Sequence, residues 1–119
     1  MSVLDKFSLT DRVVIVTGAS SGLGVAFAKA AAEAGADVVL AARRVDKLED
    51  TAKLVRDAGR EALCVATDIV DPAQAQNMVD AAMEKFGRVD VLVNNAGVGT
   101  AVPATRETPD QFRAVIDIN

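Results

Sequence analysis

Short apolar runs alternate with longer helical patterns along the chain. The runs lie at 12–17, 37–42, 62–67 and 89–94, and the first is apolar on both faces, which is typical of a buried parallel strand. A helical pattern follows each run, the last beginning with a capping sequence at 108–111. This β-α-β-α-β-α-β-α order with short connections predicts one α/β domain with a parallel sheet covered on both faces.

Capping residues predict where the helices begin. A first helix over about 22–34 follows the first strand, and Asp46 with Glu49 three residues later indicates the start of a second. Asp71 followed by Pro72 combines an N-cap with proline in the first turn, so a third helix should begin there and run to about residue 86. Its inner face is expected to carry Ala75, Met78, Val79, Ala82, Met83 and Phe86.

Right-handed crossovers place the first strand beside the fourth, so the expected sheet is doubly wound with strand order 3-2-1-4. The order reverses between strands one and four, and ligands of such sheets bind there, outside the carboxyl ends of the strands. Residues 17–24 follow the first strand and residues 94–97 follow the fourth. These two stretches are therefore expected to converge on one crevice.

The stretch Thr17-Gly18-Ala19-Ser20-Ser21-Gly22-Leu23-Gly24 joins the first strand to the first helix. Such a turn aims free backbone N–H groups at an anion. Gly18 would permit the tight turn, Gly22 would let a pyrophosphate approach the backbone, and Gly24 would let helix and strand pack closely. We interpret the stretch as a site for the diphosphate of a nicotinamide dinucleotide. The alternative is an ordinary glycine-rich turn that binds nothing.

Composition narrows the class of protein. The 119 residues fit one domain, and half of them are hydrophobic, which favours a packed core. Seventeen acidic and 13 basic residues give a net charge of −4 without a basic stripe, so a nucleic-acid partner is not expected. Cys64 is interpreted as a small core residue, and without histidine no metal site is expected. No signal peptide or membrane-spanning run is present, so a soluble cytoplasmic protein is expected.

These motifs closely resemble the short-chain dehydrogenase/reductase family. The residues from Thr17 to Gly24 match its T-G-x-x-x-G-x-G motif, and Asn94-Asn95-Ala96-Gly97 match its N-N-A-G motif. Asp68 stands where the family has an acidic residue after strand three, and Asn119 stands where it has an asparagine in the helix after N-N-A-G. The resemblance implies a Rossmann domain in an oxidoreductase that moves hydride between a nicotinamide cofactor and a small carbonyl or alcohol substrate.

The resemblance also implies a role for each matched residue. Gly18 and Ser20 would line the adenosine ribose, and backbone groups of 21–23 would hold the diphosphate. Asp68 and Ile69 would contact the adenine, and 95–97 would run beside the cofactor. With Arg43 and Arg44, which follow the second strand and could bind a phosphate, the candidate cofactor-binding set is Gly18, Ser20, Ser21, Gly22, Leu23, Gly24, Arg43, Arg44, Asp68, Ile69, Asn95, Ala96 and Gly97. A solvated loop carboxylate for Asp68, and a purely structural role for Asn94 and Asn95, are the alternatives.

The end of the second strand bears on cofactor choice, because NAD sites place a carboxylate there and NADP sites a cation. This chain has Ala42 at that position, followed by Arg43 and Arg44. A guanidinium suits a phosphate because it donates two parallel hydrogen bonds. We predict NADP(H), with NAD(H) as the alternative. Two solvated loop arginines are the competing interpretation, more so for Arg44 than for Arg43.

The family's chemistry is carried by a serine, a Tyr-x-x-x-Lys pair and the asparagine that Asn119 matches. The chain contains no tyrosine. We expect it to be the front half of a longer enzyme, with a sheet incomplete on its C-terminal side, and to be inactive alone; Asn119 is its one candidate catalytic residue. Intact relatives commonly form dimers or tetramers. A non-catalytic dinucleotide-binding module is the main alternative. A methyltransferase is disfavoured by Arg43, Arg44 and the N-N-A-G motif.

Overall fold

The fold is a parallel sheet with helices on both faces. The computed structural model of the protein describes residues 3–97 and 108–118. A short 3-10 helix at Leu4–Phe7 precedes the alternating elements. They are β1 (Val13–Thr17), α1 (Gly22–Glu33), β2 (Asp37–Ala42), α2 (Val45–Asp57), β3 (Ala62–Ala66), α3 (Pro72–Phe86), β4 (Val91–Val93) and α4 (Pro109–Ile118).

The strand order is β3-β2-β1-β4, with all neighbours parallel, which confirms the predicted order. In register, Ile15 of β1 lies between Val39 of β2 and Leu92 of β4. The carboxyl ends of β1 and β4 therefore lie side by side. The two predicted motifs begin at those ends, so the topology brings them to the same edge.

Every residue of β1 is buried, as expected for the central strand of a sheet covered on both faces. One core layer packs β1 and β2 against α1 and α2, and it includes Val14, Leu40 and Leu48. The other layer lies on the α3 side and includes Ile15 and Met78. Small alanines such as Ala28 and Ala32 of α1 let that helix approach the sheet closely. Cys64 is half-buried against the first layer, and burial raises the pKa of its thiol.

The predicted start of α2 is wrong in detail. Asp46 and Glu49 were expected to form its cap, but the helix begins at Val45 and its N-cap, Arg44, makes no side-chain cap hydrogen bond. The Asp46 carboxylate pairs with the Arg44 guanidinium at 3.3 Å instead. Glu49 similarly pairs with an arginine on the same helix, so both carboxylates interact with cations rather than with the helix end.

The start of α3 matches the prediction, because the Asp71 carboxylate accepts the Ala73 N–H at 2.9 Å. The predicted inner face of α3 is too wide. Met78 is buried, whereas Val79 is 38% exposed and Met83 is 47% exposed. These two residues lie about 100° round the helix from the buried stripe, outside the part that touches the sheet.

Strand β4 lies at one edge of the described sheet and is shorter than predicted. Its Leu92 is 56% exposed. After Val93 the chain leaves the ladder, because the N–H groups of Asn95 and Ala96 donate to the side-chain oxygen of Thr17. The strand is thus cut short by contacts with the last residue of the neighbouring strand β1.

Candidate functional site

The glycine-rich loop leads directly into the N-terminus of α1. Among the described residues, the backbone N–H groups of Ser21, Gly22 and Leu23 find no acceptor, as is usual in a first helical turn. Gly22 has φ +56°, and a Cβ added there would meet nothing within 4 Å. The first turn therefore presents N–H groups and the positive end of the helix dipole to open space, which is the arrangement that binds an anion.

Gly24 is required by packing rather than by an unusual backbone angle. A Cβ at this position would lie 2.1 Å from the carbonyl oxygen of Gly18. That oxygen belongs to the turn after β1, so the side chain of any other residue would push α1 away from the loop. The predicted role of Gly24 in close packing agrees with this geometry.

A single hydroxyl joins the loop to the segment after β4. The Thr17 side-chain oxygen accepts the N–H groups of Asn95 and Ala96, each at 2.9 Å, and donates to the Val93 carbonyl at 3.3 Å. The Asn95 side-chain amide in turn donates to the Gly18 carbonyl at 3.3 Å. These contacts place the N-N-A-G segment against the glycine-rich loop, at the predicted crevice.

The loop is also anchored from its other side. The N–H of Ala19 donates to the Ala41 carbonyl of β2 at 3.2 Å. The Ala19 carbonyl accepts a hydrogen bond of 2.8 Å from the hydroxyl of Thr51, a residue of α2 that is 1% exposed. Because both polar groups of Ala19 are satisfied by neighbouring elements, the loop is held in one shape before any ligand arrives.

The loop opens into a cleft of about 740 Å³ at the carboxyl edge of the sheet. All of the predicted cofactor-binding residues line it except Gly22 and Gly24, which belong to the same loop. Asn119 lies outside the described residues. The full lining is Thr17, Gly18, Ser20, Ser21, Leu23, Ala41, Ala42, Arg43, Arg44, Lys47, Thr67, Asp68, Ile69, Asn95, Ala96 and Gly97.

Three cations lie at the β2–α2 side of the cleft. Arg44 pairs with Asp46, whose carboxylate is 3.3 Å from its guanidinium. Within the described part of the chain, Arg43 and Lys47 have no hydrogen-bond or ion-pair partner. Ala42, at the end of β2, brings no carboxylate to this wall. The wall is therefore electropositive in a protein whose net charge is −4.

Another wall of the cleft is formed by the loop after β3. The N–H of Asp68 donates to the side-chain oxygen of Gln74 at 2.8 Å. One oxygen of the Asp68 carboxylate accepts the Val70 N–H at 3.2 Å. This local turn holds Asp68 and Ile69 at the cleft and involves one carboxylate oxygen. Asp68 can therefore stabilise this loop through one carboxylate oxygen while its other oxygen contacts a ligand.

A model of the short chain dehydrogenase family matches residues 12–119. The chain belongs to the short-chain dehydrogenase family. An uncharacterised oxidoreductase of Listeria innocua is 39% identical over 112 residues, which is 94% of this chain and 45% of that protein. The chain therefore spans about half the length of the curated relatives it matches.

Solved structures of the short-chain dehydrogenase family share the fold. An enzyme of this type from Mycobacterium marinum superimposes with a TM-score of 0.95 at 36% identity, over 99% of this chain and 48% of that one. A metagenomic short-chain oxidoreductase in complex with NADP gives 0.83 at 38% identity, over 92% and 50%. An NAD⁺-bound xylitol dehydrogenase gives 0.88 at 32% identity, over 92% and 43%.

Sequence reasoning missed several residues of the cleft. Lys47 was not predicted, although a helix that follows β2 must place its first turn at the carboxyl edge of the sheet. Thr17 was treated as part of the motif without a role, and Thr51 was not singled out at all. A buried threonine hydroxyl needs a partner, so Thr51 on an otherwise apolar helix face was the available signal.

Among the described helices, none is long and apolar enough to cross a membrane.

Proposed function

We propose that the chain binds NADP(H) and forms the cofactor half of an NADP(H)-dependent short-chain oxidoreductase. One observation carries the proposal: within the described residues, the acceptor-free N–H groups of Ser21 and Leu23 and the unpaired guanidinium of Arg43 belong to residues that line a single cleft. Such a cleft suits a ligand with two separate anionic groups, and NADP(H) has a diphosphate and a ribose 2′-phosphate.

The diphosphate lies against the first turn of α1, where Ser21, Gly22 and Leu23 donate backbone hydrogen bonds. Gly18 and Ser20 contact the adenosine ribose. Gly24 supports the loop from behind by letting α1 pack against it. These roles are supported by the open space at Gly22 and by the close approach at Gly24.

The adenine lies between the β2 and β3 ends of the cleft. Asp68 accepts a hydrogen bond from the adenine amino group, and Ile69 contacts the ring. Asn95, Ala96 and Gly97 line the path toward the nicotinamide. The support for these roles is that all five residues line the cleft, on the walls that follow β3 and β4.

Arg43 binds the 2′-phosphate and sets the preference for NADP(H) over NAD(H). Its guanidinium is unpaired within the described residues, and Ala42 stands where a carboxylate would select NAD(H). Arg44 contributes through its charge, although Asp46 neutralises part of it. Because solved neighbours carry either NADP or NAD⁺, this preference depends on the chain's own residues.

The proposed reaction is hydride transfer between the nicotinamide and a small carbonyl or alcohol substrate. The bound cofactor supplies the hydride or accepts it. The proton must come from a tuned acid, and the family's tyrosine has no counterpart among the 119 residues. We therefore expect this chain alone to bind cofactor without turnover, with Asn119 as its one contribution to proton relay. We also propose that the intact protein is a homo-oligomer and that it is located in the cytoplasm.

The test is the binding of NADPH and NADH to the Arg43→Ala variant of the intact protein. Losing a charge-assisted contact should weaken NADPH binding at least about tenfold and leave NADH binding within about twofold. Arg56→Ala is the control, because Arg56 pairs with Glu49 on α2 and does not line the cleft. Equal losses for both cofactors would refute the role of Arg43.

A non-catalytic dinucleotide-binding module is the second candidate, because the described cleft accounts for cofactor binding alone. It shares the cleft and the cofactor, so binding does not separate the two. The discriminating measurement is NADPH oxidation by the intact protein against a panel of aldehydes and ketones. Turnover supports the oxidoreductase, and tight NADPH binding without turnover across the panel supports the module.

A further inference from the structure

Helix α2 presents one of its faces to the glycine-rich loop. Thr51 defines that face, because its buried hydroxyl donates to the Ala19 carbonyl at 2.8 Å. Residues four apart lie above one another on a helix, so Lys47 is on the same face, one turn nearer the N-terminus. The orientation of Lys47 toward the cleft is therefore fixed by the contact of Thr51 with the loop.

Lys47 is the free cation of the first turn of α2. It lines the cleft, and its ammonium has no partner in the described part of the chain. The neighbouring Arg44 is less available, because its guanidinium lies 3.3 Å from the Asp46 carboxylate. A positive side chain in a first helical turn is also opposed by the helix dipole. An anion bound nearby would remove that penalty.

A phosphate monoester carries a charge of about −1.5 to −2 at neutral pH. One guanidinium neutralises only part of it, so a second cation within reach adds affinity. Arg43 and Lys47 are the two cleft cations without a carboxylate partner among residues 3–97 and 108–118. Lys47 is also well placed, since Arg43 lies just before the N-cap of α2, Lys47 lies in its first turn, and both residues line the same cleft.

We propose that Lys47 is a second specificity-determining residue, which binds the ribose 2′-phosphate together with Arg43, while Arg44 contributes little. The inference rests on the proposed function of the cleft as an NADP(H) site. The inference assigns different roles to the three cations: Arg43 and Lys47 bind the phosphate, and Arg44 pairs with Asp46.

The experiment measures the dissociation constants of NADPH and NADH for the intact protein and for four variants, Arg43→Ala, Lys47→Gln, Arg44→Gln and Lys53→Gln. Lys47→Gln should weaken NADPH binding about tenfold and change NADH binding less than about twofold. Arg44→Gln should weaken NADPH binding less than Lys47→Gln does, because the Arg44 guanidinium already pairs with Asp46. Lys53→Gln is the matched control, because Lys53 is exposed on the same helix and does not line the cleft.

The outcome for Arg43→Ala separates this inference from the proposed function. If Arg43→Ala loses NADPH selectively and Lys47→Gln does not, the role of Lys47 is refuted and the NADP(H) site stands. If Lys47→Gln is selective and Arg43→Ala is not, Lys47 is supported and the role of Arg43 is refuted. If neither variant is selective, both the inference and the cofactor preference are refuted. A selective loss in Arg44→Gln as large as that in Lys47→Gln would refute the division among the cations.

Discussion

The two ends of the parallel sheet differ in whether their charged side chains have partners within the described residues. At the amino end, the Asp90 carboxylate accepts two hydrogen bonds from Arg88, at 2.6 and 2.8 Å, and one from the Val13 N–H at 2.8 Å. Asp37, at the start of β2, similarly accepts the Glu61 N–H and pairs with Arg60 at 3.1 Å. At the carboxyl end, Arg43 and Lys47 are without such partners in the described chain.

This difference separates stabilising charges from charges available for binding. The Asp90 and Asp37 carboxylates connect neighbouring strands, so their interactions are already complete in the folded chain. Within the described residues, Arg43 and Lys47 of the cleft make no such contacts. Since unpaired groups in a concave site are the ones a ligand can satisfy, we propose the carboxyl end as the binding end.

The largest expected effect comes from adding one methyl group at the carboxyl end. Gly24→Ala places a Cβ 2.1 Å from the Gly18 carbonyl oxygen, so α1 must move off the loop. We expect unfolding free energy to fall by about 3 kcal/mol, with NADPH binding lost. Chemical denaturation and calorimetric titration measure these two quantities.

Gly59→Ala is the matched control for that substitution. Gly59 has φ +85°, so alanine is strained there, but its Cβ would meet nothing within 4 Å. The expected cost is about 1–2 kcal/mol, and NADPH affinity should be unchanged. If Gly24→Ala binds NADPH as well as Gly59→Ala does, the close packing of loop and helix is not needed for the site.

At the amino end, Asp90→Asn should lower stability without affecting the cleft. The substitution keeps the shape of the side chain but removes the charge that Arg88 and Arg12 contact. The melting temperature should fall by a few degrees, and the NADPH dissociation constant should not change. Asp80→Asn is the control, because the described contacts of Asp80 are limited to a neighbouring glutamine on α3. A loss of affinity in Asp90→Asn would contradict the separation of the two ends.

The pH dependence of stability should report the same carboxylate. The hydrogen bonds from Arg88 and then from the Val13 N–H lower the pKa of Asp90 from 3.8 to about 2. Because the folded pKa lies below the unfolded one, the stabilisation is complete above pH 3.8 and is lost as the pH falls through about 2. The melting temperatures of Asp90→Asn and of the unsubstituted protein should therefore differ at about pH 6 and converge as the pH falls to about 2. Parallel curves would contradict the assignment.

The smallest expected effect is that of salt on binding at the carboxyl end. If the NADPH 2′-phosphate binds exposed cations, as we propose, its contribution to affinity should weaken by a few-fold between low and physiological ionic strength. NADH lacks this group and serves as the control. An equal salt dependence for both cofactors would indicate that the cleft cations do not contact the phosphate.

The sheet order was predictable because apolar runs, helix caps and crossover handedness all agree on it. The position of the cleft was predictable for the same reason, since topology alone brings Thr17 and Asn95 to one edge. Side-chain partners were less predictable. Asp46 resembles a capping residue in sequence, and its pairing with Arg44 depends on a helix that begins one residue earlier.

The sequence also did not predict the exposed edge of the α3 stripe or the place of Lys47 at the cleft, because both depend on how a helix packs against the rest of the fold. The apolar stripe of α3 includes Val79 and Met83, but periodicity does not reveal how wide a face the sheet will cover. Lys47 is a charged residue on a helix, which in sequence is indistinguishable from a solvated one. Its significance depends on the distant contact between Thr51 and Ala19 that orients the helix.

The triple role of the Thr17 hydroxyl has a consequence for how this protein responds to its ligand. The contacts join residues up to 79 positions apart, so no local fragment of the chain contains a finished pocket. A small molecule bound there recognises the assembled domain and not the unfolded chain, and it must raise the cost of global unfolding. Thermal shift upon ligand addition is therefore a readout of assembly as much as of affinity.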